Sequence, residues 1–133
     1  MRPAFTFMLA TVLLLFSTCN RQKGAAEDLL EEVRLSNLKA PQRVTDGVQF
    51  DSMAYNVEAN ELVYYYTMDD SLYTPRGISE GKKVFRENML KEMRASIKLK
   101  KYKQRGITFR YVYWAKSDAR ELLNEKFTAS DYK

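Results

Sequence analysis

The chain has 133 residues, of which 22 are lysine or arginine and 17 are aspartate or glutamate, giving a formal net charge of +5. It contains no histidine and a single cysteine. These counts exclude disulfide bonds within the chain, catalytic triads that need histidine, and most zinc and copper sites. We therefore expect a domain that is held together by its apolar core and that has no metal ion and no other cofactor.

The amino-terminal segment has the layout of a secretory signal. Arg2 supplies a positive charge, and the apolar stretch 4–16 follows it before Ser17-Thr18-Cys19. This stretch is shorter than the roughly 20 apolar residues that a membrane-spanning helix needs. We therefore predict that residues 1–18 form a signal peptide that is removed, and not a retained transmembrane helix.

The four residues Phe16-Ser17-Thr18-Cys19 resemble the lipobox at which bacterial lipoproteins are cleaved and acylated. The second and fourth residues match its pattern, whereas the first and third depart from it. The resemblance implies that Cys19 is lipidated, with palmitate as an acyl chain, and that residues 19–24 form a tether to a membrane of the cell envelope. Asn20 after the cysteine favours the outer membrane, on its periplasmic side. The alternative is an ordinary cleaved signal followed by a chance cysteine.

The first half of the remaining chain predicts a helix and a β-hairpin. Acidic residues crowd the start of segment 25–38 and basic residues follow, an order that suits a helix dipole. Apolar residues alternate over 48–57 and change parity near Asp51-Ser52, which predicts a strand with a β-bulge. Segment 61–68 is dense in β-forming residues, and the short link before it predicts that the two strands form a hairpin.

The second half predicts another helix and two more strands. Ser79 is the expected N-cap of a helix over 79–97. Strands over 107–115 and 121–128 complete the α-β-β-α-β-β order of an α+β fold, a four-stranded antiparallel sheet packed by helices. We expect one apolar face of the second helix to be buried against the sheet, through Phe85, Met89, Met93 and Ile97.

Residues 25–133 are thus predicted to form a single domain with its core over about 40–133. Segments such as Leu-Val-Tyr-Tyr-Tyr-Thr at 62–67 and Gly-Ile-Thr-Phe-Arg-Tyr-Val-Tyr at 106–113 are similar to those of a group of short exported bacterial proteins. The resemblance rests on strand texture and turn spacing. It implies the fold and no activity.

Two surfaces are candidates for binding. On strand 107–115, alternate residues Arg110, Val112 and Trp114 share one face, and arginine and tryptophan are favoured at interfaces. The alternative for these aromatic strands is that they only supply core and half-buried surface. The second candidate is a basic run that could meet anionic lipid or an acidic partner, or could simply be a solvated helix end: Lys98, Lys100, Lys101, Lys103 and Arg105.

Two further motifs give little indication of a catalytic or binding site. Asp69-Asp70 is the densest acidic pair outside the first helix, but adjacent loop residues rarely converge on one substrate, so we expect a solvated turn. Segment 105–109 resembles the start of an RNA-binding strand motif in only three positions. Because a signal peptide precedes it, we do not expect a nucleic-acid partner.

These observations predict a non-enzymatic, membrane-anchored lipoprotein of the cell envelope that acts as a binding or interaction module for an envelope protein. One alternative is a small protein inhibitor or immunity-type protein that blocks an exported enzyme through the same surface. A carboxylate-dependent hydrolase is the other. It would need two acidic groups that converge in a concave pocket.

Overall fold

A computed structural model describes residues 24–133 of the chain. The predicted signal peptide, Cys19 and all but the last residue of the predicted tether lie outside the described residues. Of the described residues, 24–32 belong to one unit and Val33–Lys133 to another. Helix α1, residues 24–38, includes the end of the first unit and the start of the second, which confirms the helix that the charge order predicts. Within residues 24–133, no helix is long and apolar enough to cross a membrane.

The second unit is built on a five-stranded mixed sheet with the spatial order β1-β2-β3-β4-β5. Strands β3 and β4 are parallel, and the other neighbouring pairs are antiparallel. The α+β class is confirmed, whereas the predicted four-stranded antiparallel sheet is wrong in strand number and in this one pairing. The strands are β1 (Gln42–Thr45), β2 (Val48–Asn56), β3 (Glu61–Met68), β4 (Thr108–Ala115) and β5 (Glu121–Phe127).

The parallel pair follows from the long connection between its two strands. Residues 69–107 contain helix α2 (Pro75–Ala95) and helix α3 (Lys100–Gln104). This connection is long enough to return the chain to the end at which β3 begins, so that β4 runs in the same direction. A third short helix, α4 (Ala129–Tyr132), follows β5.

The β2–β3 hairpin and the bulge are confirmed. The register between the two strands shifts between Phe50 and Ser52, where the alternation changes parity. Strand β1 was not predicted, although Asp46-Gly47 is a turn signal between two β-rich segments. Gly47 has φ +72°, a backbone conformation that glycine adopts at little cost.

Helix α2 begins and ends earlier than predicted. Its N-cap is Thr74, whose side chain accepts a hydrogen bond from the Gly77 amide, and Pro75 occupies the first turn. Proline suits this position because its missing N–H has no partner there in any helix. The helix ends at Ala95, so that Met93 is buried as predicted while Ile97, outside the helix, is 87% exposed. The expected burial of Ile97 is therefore wrong.

The core lies on the face of the sheet that α2 and α4 cover. Phe109 of β4 and Phe127 of β5 are fully buried, and Leu123 is nearly so. The hydroxyl of Tyr132 in α4 donates a hydrogen bond of 2.7 Å to the carbonyl of Ile107. This contact holds α4 beside the start of β4.

Candidate functional site

An apolar groove runs between α2 and the sheet, and we call it the α2 groove. Its volume is about 690 Å3. One wall is the face of α2 that carries Ile78, Gly81, Phe85 and Met89, and the floor is formed by side chains of β2, β3, β4 and β5. The floor residues are Val48, Tyr66, Met68, Tyr113 and Leu123.

Among the described residues, the polar contacts between α2 and the sheet all lie along one flank of the helix, which faces β5. The Arg86 guanidinium donates to the Glu125 carboxylate at 2.8 Å and to the Lys126 carbonyl at 3.0 Å, and it lies 4.5 Å from the centre of the Phe127 ring. Lys82 lies 3.6 Å from the same, almost completely buried, Glu125 carboxylate. These contacts hold α2 over β5. The opposite flank of the helix faces the open groove above β2 and β3.

The floor is shaped by paired aromatic rings. Tyr66 and Tyr113 stack across β3 and β4 with ring centres 4.8 Å apart, and Phe85 of α2 meets the Tyr113 ring edge-on at 5.6 Å. Phe50 meets Tyr66 edge-on from β2. Aromatic pairs of this kind hold their rings in fixed orientations. The floor is therefore a pre-formed surface.

Gly81 leaves the helix wall of the groove bare. A Cβ atom added at this position would have no neighbour within 4 Å. Gly77, one turn earlier, also lines the groove. A partner that enters here could approach the backbone of α2 closely, because no side chain intervenes.

One end of the groove is closed by a locked pair of turns. The Asp69 amide donates to the Gly47 carbonyl at 2.7 Å, and the Tyr73 hydroxyl donates to the Asp46 carbonyl at 3.0 Å. A Cβ atom on Gly47 would lie only 2.9 Å from a methyl group of Leu72. Leu72 lines this end of the groove, yet it remains 63% exposed. It therefore adds apolar surface to the rim.

The groove has little charge. Among the described residues, Glu92 is the one charged side chain in its lining. Burial first, and then the nearby Tyr66 and Glu92, raise the pKa of Tyr113, and burial raises the pKa of Tyr66. Both phenols are neutral at physiological pH, so the groove offers an apolar surface with a single negative charge at its side.

The predicted surface on β4 is less open than its sequence suggests. Arg110 donates to both carboxylate oxygens of Glu61, at 3.0 and 3.3 Å, and to the Asn124 side chain at 3.0 Å. Val112 is buried, and Trp114 is partly exposed. The structure thus places the three residues on one face but leaves only two of them within reach of a partner. Binding by this surface stays a prediction.

The basic run does not form one continuous patch. Lys103 turns inward and donates to the carbonyls of Met93 and Arg94, at 2.8 and 2.9 Å, and so caps the C-terminus of α2. Arg105 is partly buried. Lys98, Lys100 and Lys101 are exposed. The structure thus separates the run into an inward capping residue and an outward group.

The carboxylates of the acidic pair at 69–70 accept hydrogen bonds that stabilise turns. Asp69 accepts from the amide and hydroxyl of Ser71, and Asp70 from the amide and hydroxyl of Ser117. The hydrogen bonds from the serine hydroxyls are the main reason why the pKa of each carboxyl is lowered. The two carboxylates therefore face different partners. Within residues 24–133, no group of acidic or other ligand residues is placed to hold a metal ion.

The chain belongs to the DUF8479 family, a domain of unknown function, whose model matches residues 24–123. No curated protein sequence matches the chain.

Solved structures share the fold at low sequence identity. A predicted secreted protein of Pseudomonas aeruginosa has a TM-score of 0.69 and 12% identity, covering 85% of this chain and 94% of that one. The pilotin EpsS of the Vibrio vulnificus type II secretion system has a TM-score of 0.64 and 8% identity, covering 86% and 96%. The type II pilotin AspS of Vibrio cholerae has a TM-score of 0.62 and 8% identity, covering 86% and 98%. This likeness shows the fold alone.

Sequence reasoning missed the groove because it assigned Phe85 and Met89 to a closed core. Two signals pointed elsewhere. Gly77 and Gly81 lie four residues apart on the same side of α2 as Phe85. Glycine inside a helix costs about 1 kcal/mol relative to alanine, and at Gly81 it leaves the helix wall without a side chain.

Proposed function

We propose that this protein is a non-enzymatic binding module of the cell envelope, anchored through Cys19, which holds an apolar segment of an envelope protein in the α2 groove. The partner would lay its apolar side chains on the floor, and its backbone would lie against the bare helix wall at Gly81. Anchorage to the periplasmic side of the outer membrane is part of the proposal.

The observation that carries the proposal is the groove itself. It combines a pre-formed aromatic floor, one open flank of a helix and a rim of exposed apolar side chains, including Val44 and Leu72. Sites of this kind, mostly apolar with few polar groups, are typical of binding sites in proteins. Water in such a groove is readily displaced by apolar groups, which favours association.

The structural relatives agree with this role in general terms. Two are named as pilotins of a secretion system, and the third is predicted to be secreted. The fold therefore occurs in proteins that belong to, or pass through, the cell envelope. At 8–12% identity these relatives support a location in the cell envelope. They do not identify the partner, which experiment must find.

A binding role also suits the acidic residues better than hydrolysis does. Carboxylate catalysis needs two acidic groups that converge on one substrate. Among the described residues, the groove lining contains one carboxylate, that of Glu92. Asp69 and Asp70 accept hydrogen bonds from separate serines. We therefore favour binding over hydrolysis.

Site-specific photocrosslinking in the native envelope tests the proposal. A photoreactive amino acid at Met89, in the groove, should give one discrete adduct with an envelope protein. The matched control carries the same group at Val57, an exposed apolar residue outside the groove, and should not give that adduct.

A second pair of variants shows whether the groove is responsible. Gly81→Leu should abolish the Met89 adduct because its side chain fills the space beside the floor, whereas Gly81→Ala, which adds one methyl group, should reduce it much less. An adduct that persists unchanged in Gly81→Leu, while that variant remains folded by circular dichroism, would rule out the groove as the binding site.

A further inference from the structure

The loop between α2 and α3 presents an apolar tip among cations. Ile97 is 87% exposed, more than any other large hydrophobic residue in the described part of the chain. Lys98 follows it, and Lys100 and Lys101 begin α3; all three are exposed. An isolated exposed isoleucine is unremarkable, but here the charged residues that lie next to it in the sequence are all basic.

Ile97, Lys100 and Lys101 lie on one outward side of the chain. The Lys100 amide donates to the Ile97 carbonyl at 3.1 Å, which extends the helical turn back to Ile97. Positions three, four and seven residues apart share one side of such a turn, and Ile97, Lys100, Lys101 and Gln104 have this spacing. All four are exposed, whereas Leu99, Tyr102 and Lys103 between them are partly buried.

The tip is held in place from beneath. Lys103 joins α3 to the C-terminal carbonyls of α2, and the Leu99 amide donates to the Ser96 hydroxyl at 3.3 Å. Lys101 lies over the Tyr102 ring, with its ammonium 5.0 Å from the ring centre. The outward side of α3 is therefore built into the fold, and its orientation does not depend on a partner.

We propose that this tip, Ile97 with Lys98, Lys100 and Lys101, docks on the surface of an anionic phospholipid bilayer. The lysines would lie among the negatively charged head groups, and Ile97 would enter the boundary between head groups and acyl chains. Amphipathic surfaces with lysines and an apolar residue bind membranes in this way, and the binding weakens with salt. The proposal concerns a different surface from the α2 groove and does not depend on it.

The test uses the full chain and a local readout, so that docking of the tip is distinguished from any binding through the apolar amino-terminal segment. In a chain with Cys19→Ser, an environment-sensitive fluorophore is attached at Gln104→Cys, beside the native tip. The control chain carries the fluorophore at Val84→Cys, an exposed apolar position on α2. Both chains are added to vesicles of phosphatidylcholine, with and without phosphatidylglycerol, at low and physiological salt.

We expect a blue shift at position 104 on the anionic vesicles, weaker at physiological salt and absent from position 84. A near-surface lysine contributes about fivefold to binding. Replacing Lys98, Lys100 and Lys101 with glutamine should therefore lower the docked population of the tip on the order of 100-fold and remove the shift. Ile97→Ser should weaken the shift as well.

The matched charge control replaces Lys91, Lys116 and Lys133 with glutamine, which removes the same net charge elsewhere and should leave the shift unchanged. The proposal is overturned if the shift is absent on anionic vesicles, equal on neutral ones, or equally sensitive to both triple substitutions. A shift produced by soluble polyglutamate but not by anionic vesicles also overturns it, since the tip would then bind an acidic protein.

Discussion

At the scale of single residues, two glycines beside the α2 groove have opposite roles. Gly47 adopts φ +72°, and a Cβ atom at this position would lie 2.9 Å from Leu72 and 3.1 Å from Tyr73, so the turn needs a residue without a Cβ atom. Gly81 lies inside a helix, where glycine is unfavourable, and has free space around it. Gly47 is therefore needed for the turn to fold, whereas Gly81 leaves the helix wall of the groove without a side chain.

The two alanine variants should therefore change stability in opposite directions. Gly81→Ala should raise the free energy of unfolding by about 0.5–1 kcal/mol, because alanine restricts the unfolded chain and favours the helix. Gly47→Ala should lower it by roughly 1 kcal/mol or more, because of backbone strain and the contact with Leu72. Urea denaturation of both variants measures the difference. A loss of stability in Gly81→Ala would mean that the space beside it is not free.

The buried tyrosines make stability depend on alkaline pH. Burial, and then the neighbouring Tyr64, raise the pKa of Tyr111 above its usual 10.0. A group whose pKa is raised by folding stabilises the protein below the unfolded pKa, and this stability is lost as the pH rises above it. Above pH 10 the unfolding free energy should fall by up to about 1.4 kcal/mol per pH unit for each such tyrosine.

The variant Tyr111→Phe isolates this effect. Above pH 10 its unfolding free energy should fall less steeply than that of the wild-type protein. The difference in slope should be up to about 1.4 kcal/mol per pH unit, which corresponds to one proton. Below pH 9 the two slopes should agree. Identical slopes above pH 10, measured by urea denaturation, would contradict the assignment of this titration to Tyr111.

At the scale of elements, one flank of α2 is held to β5 and the opposite flank lines the α2 groove. Met93 is buried, Phe85 and Met89 line the groove, and Ile97 lies beyond the helix in water. The four residues have the same four-residue spacing in the sequence. Their different environments arise because the helix ends at Ala95 and because the ion pair of Arg86 with Glu125 holds one of its sides to β5.

Two aspartate substitutions test this arrangement. Met93→Asp should unfold the domain, or cost several kcal/mol, because it places an unpaired charge in the core. Ile97→Asp should change the unfolding free energy by less than about 0.5 kcal/mol, as exposed positions usually do. Thermal or urea unfolding measures the change in unfolding free energy for each variant. A severe loss in Ile97→Asp would contradict its exposure, and a tolerated Met93→Asp would contradict the packing of α2.

The sheet shows where element-level prediction succeeds and fails. The hairpin, the bulge and the inward direction of Leu123 and Phe127 followed from residue alternation, which acts over a few neighbours. The parallel β3–β4 pair did not, because alternation does not state which way a strand runs. The length of the connection 69–107, with a helix inside it, was the usable signal.

At the scale of the whole molecule, the proposed anchor at Cys19 would set where the binding surfaces act. Cys19→Ala should move the protein from the membrane fraction to the soluble exported fraction, because acyl chains hold a lipoprotein on its membrane. Ser17→Ala is the matched control, since it changes the same segment and keeps the cysteine; it should remain in the membrane fraction. Fractionation after a salt wash measures both. Membrane-bound Cys19→Ala after this wash would exclude Cys19 as the anchor.

The sequence by itself determined the α+β class, the strands from β2 to β5 and the face of β4 that is buried, because these depend on local periodicity and β-propensity. It also led to the predicted anchor at Cys19, which depends on a contiguous segment. Only the tertiary structure decided that Lys103 turns inward, that Val112 is buried and that β3 and β4 are parallel. The groove belongs to this second group. It exists because Arg86 and Glu125, 39 residues apart, hold one flank of α2 to the sheet, and no local pattern encodes a contact between residues so far apart in the chain.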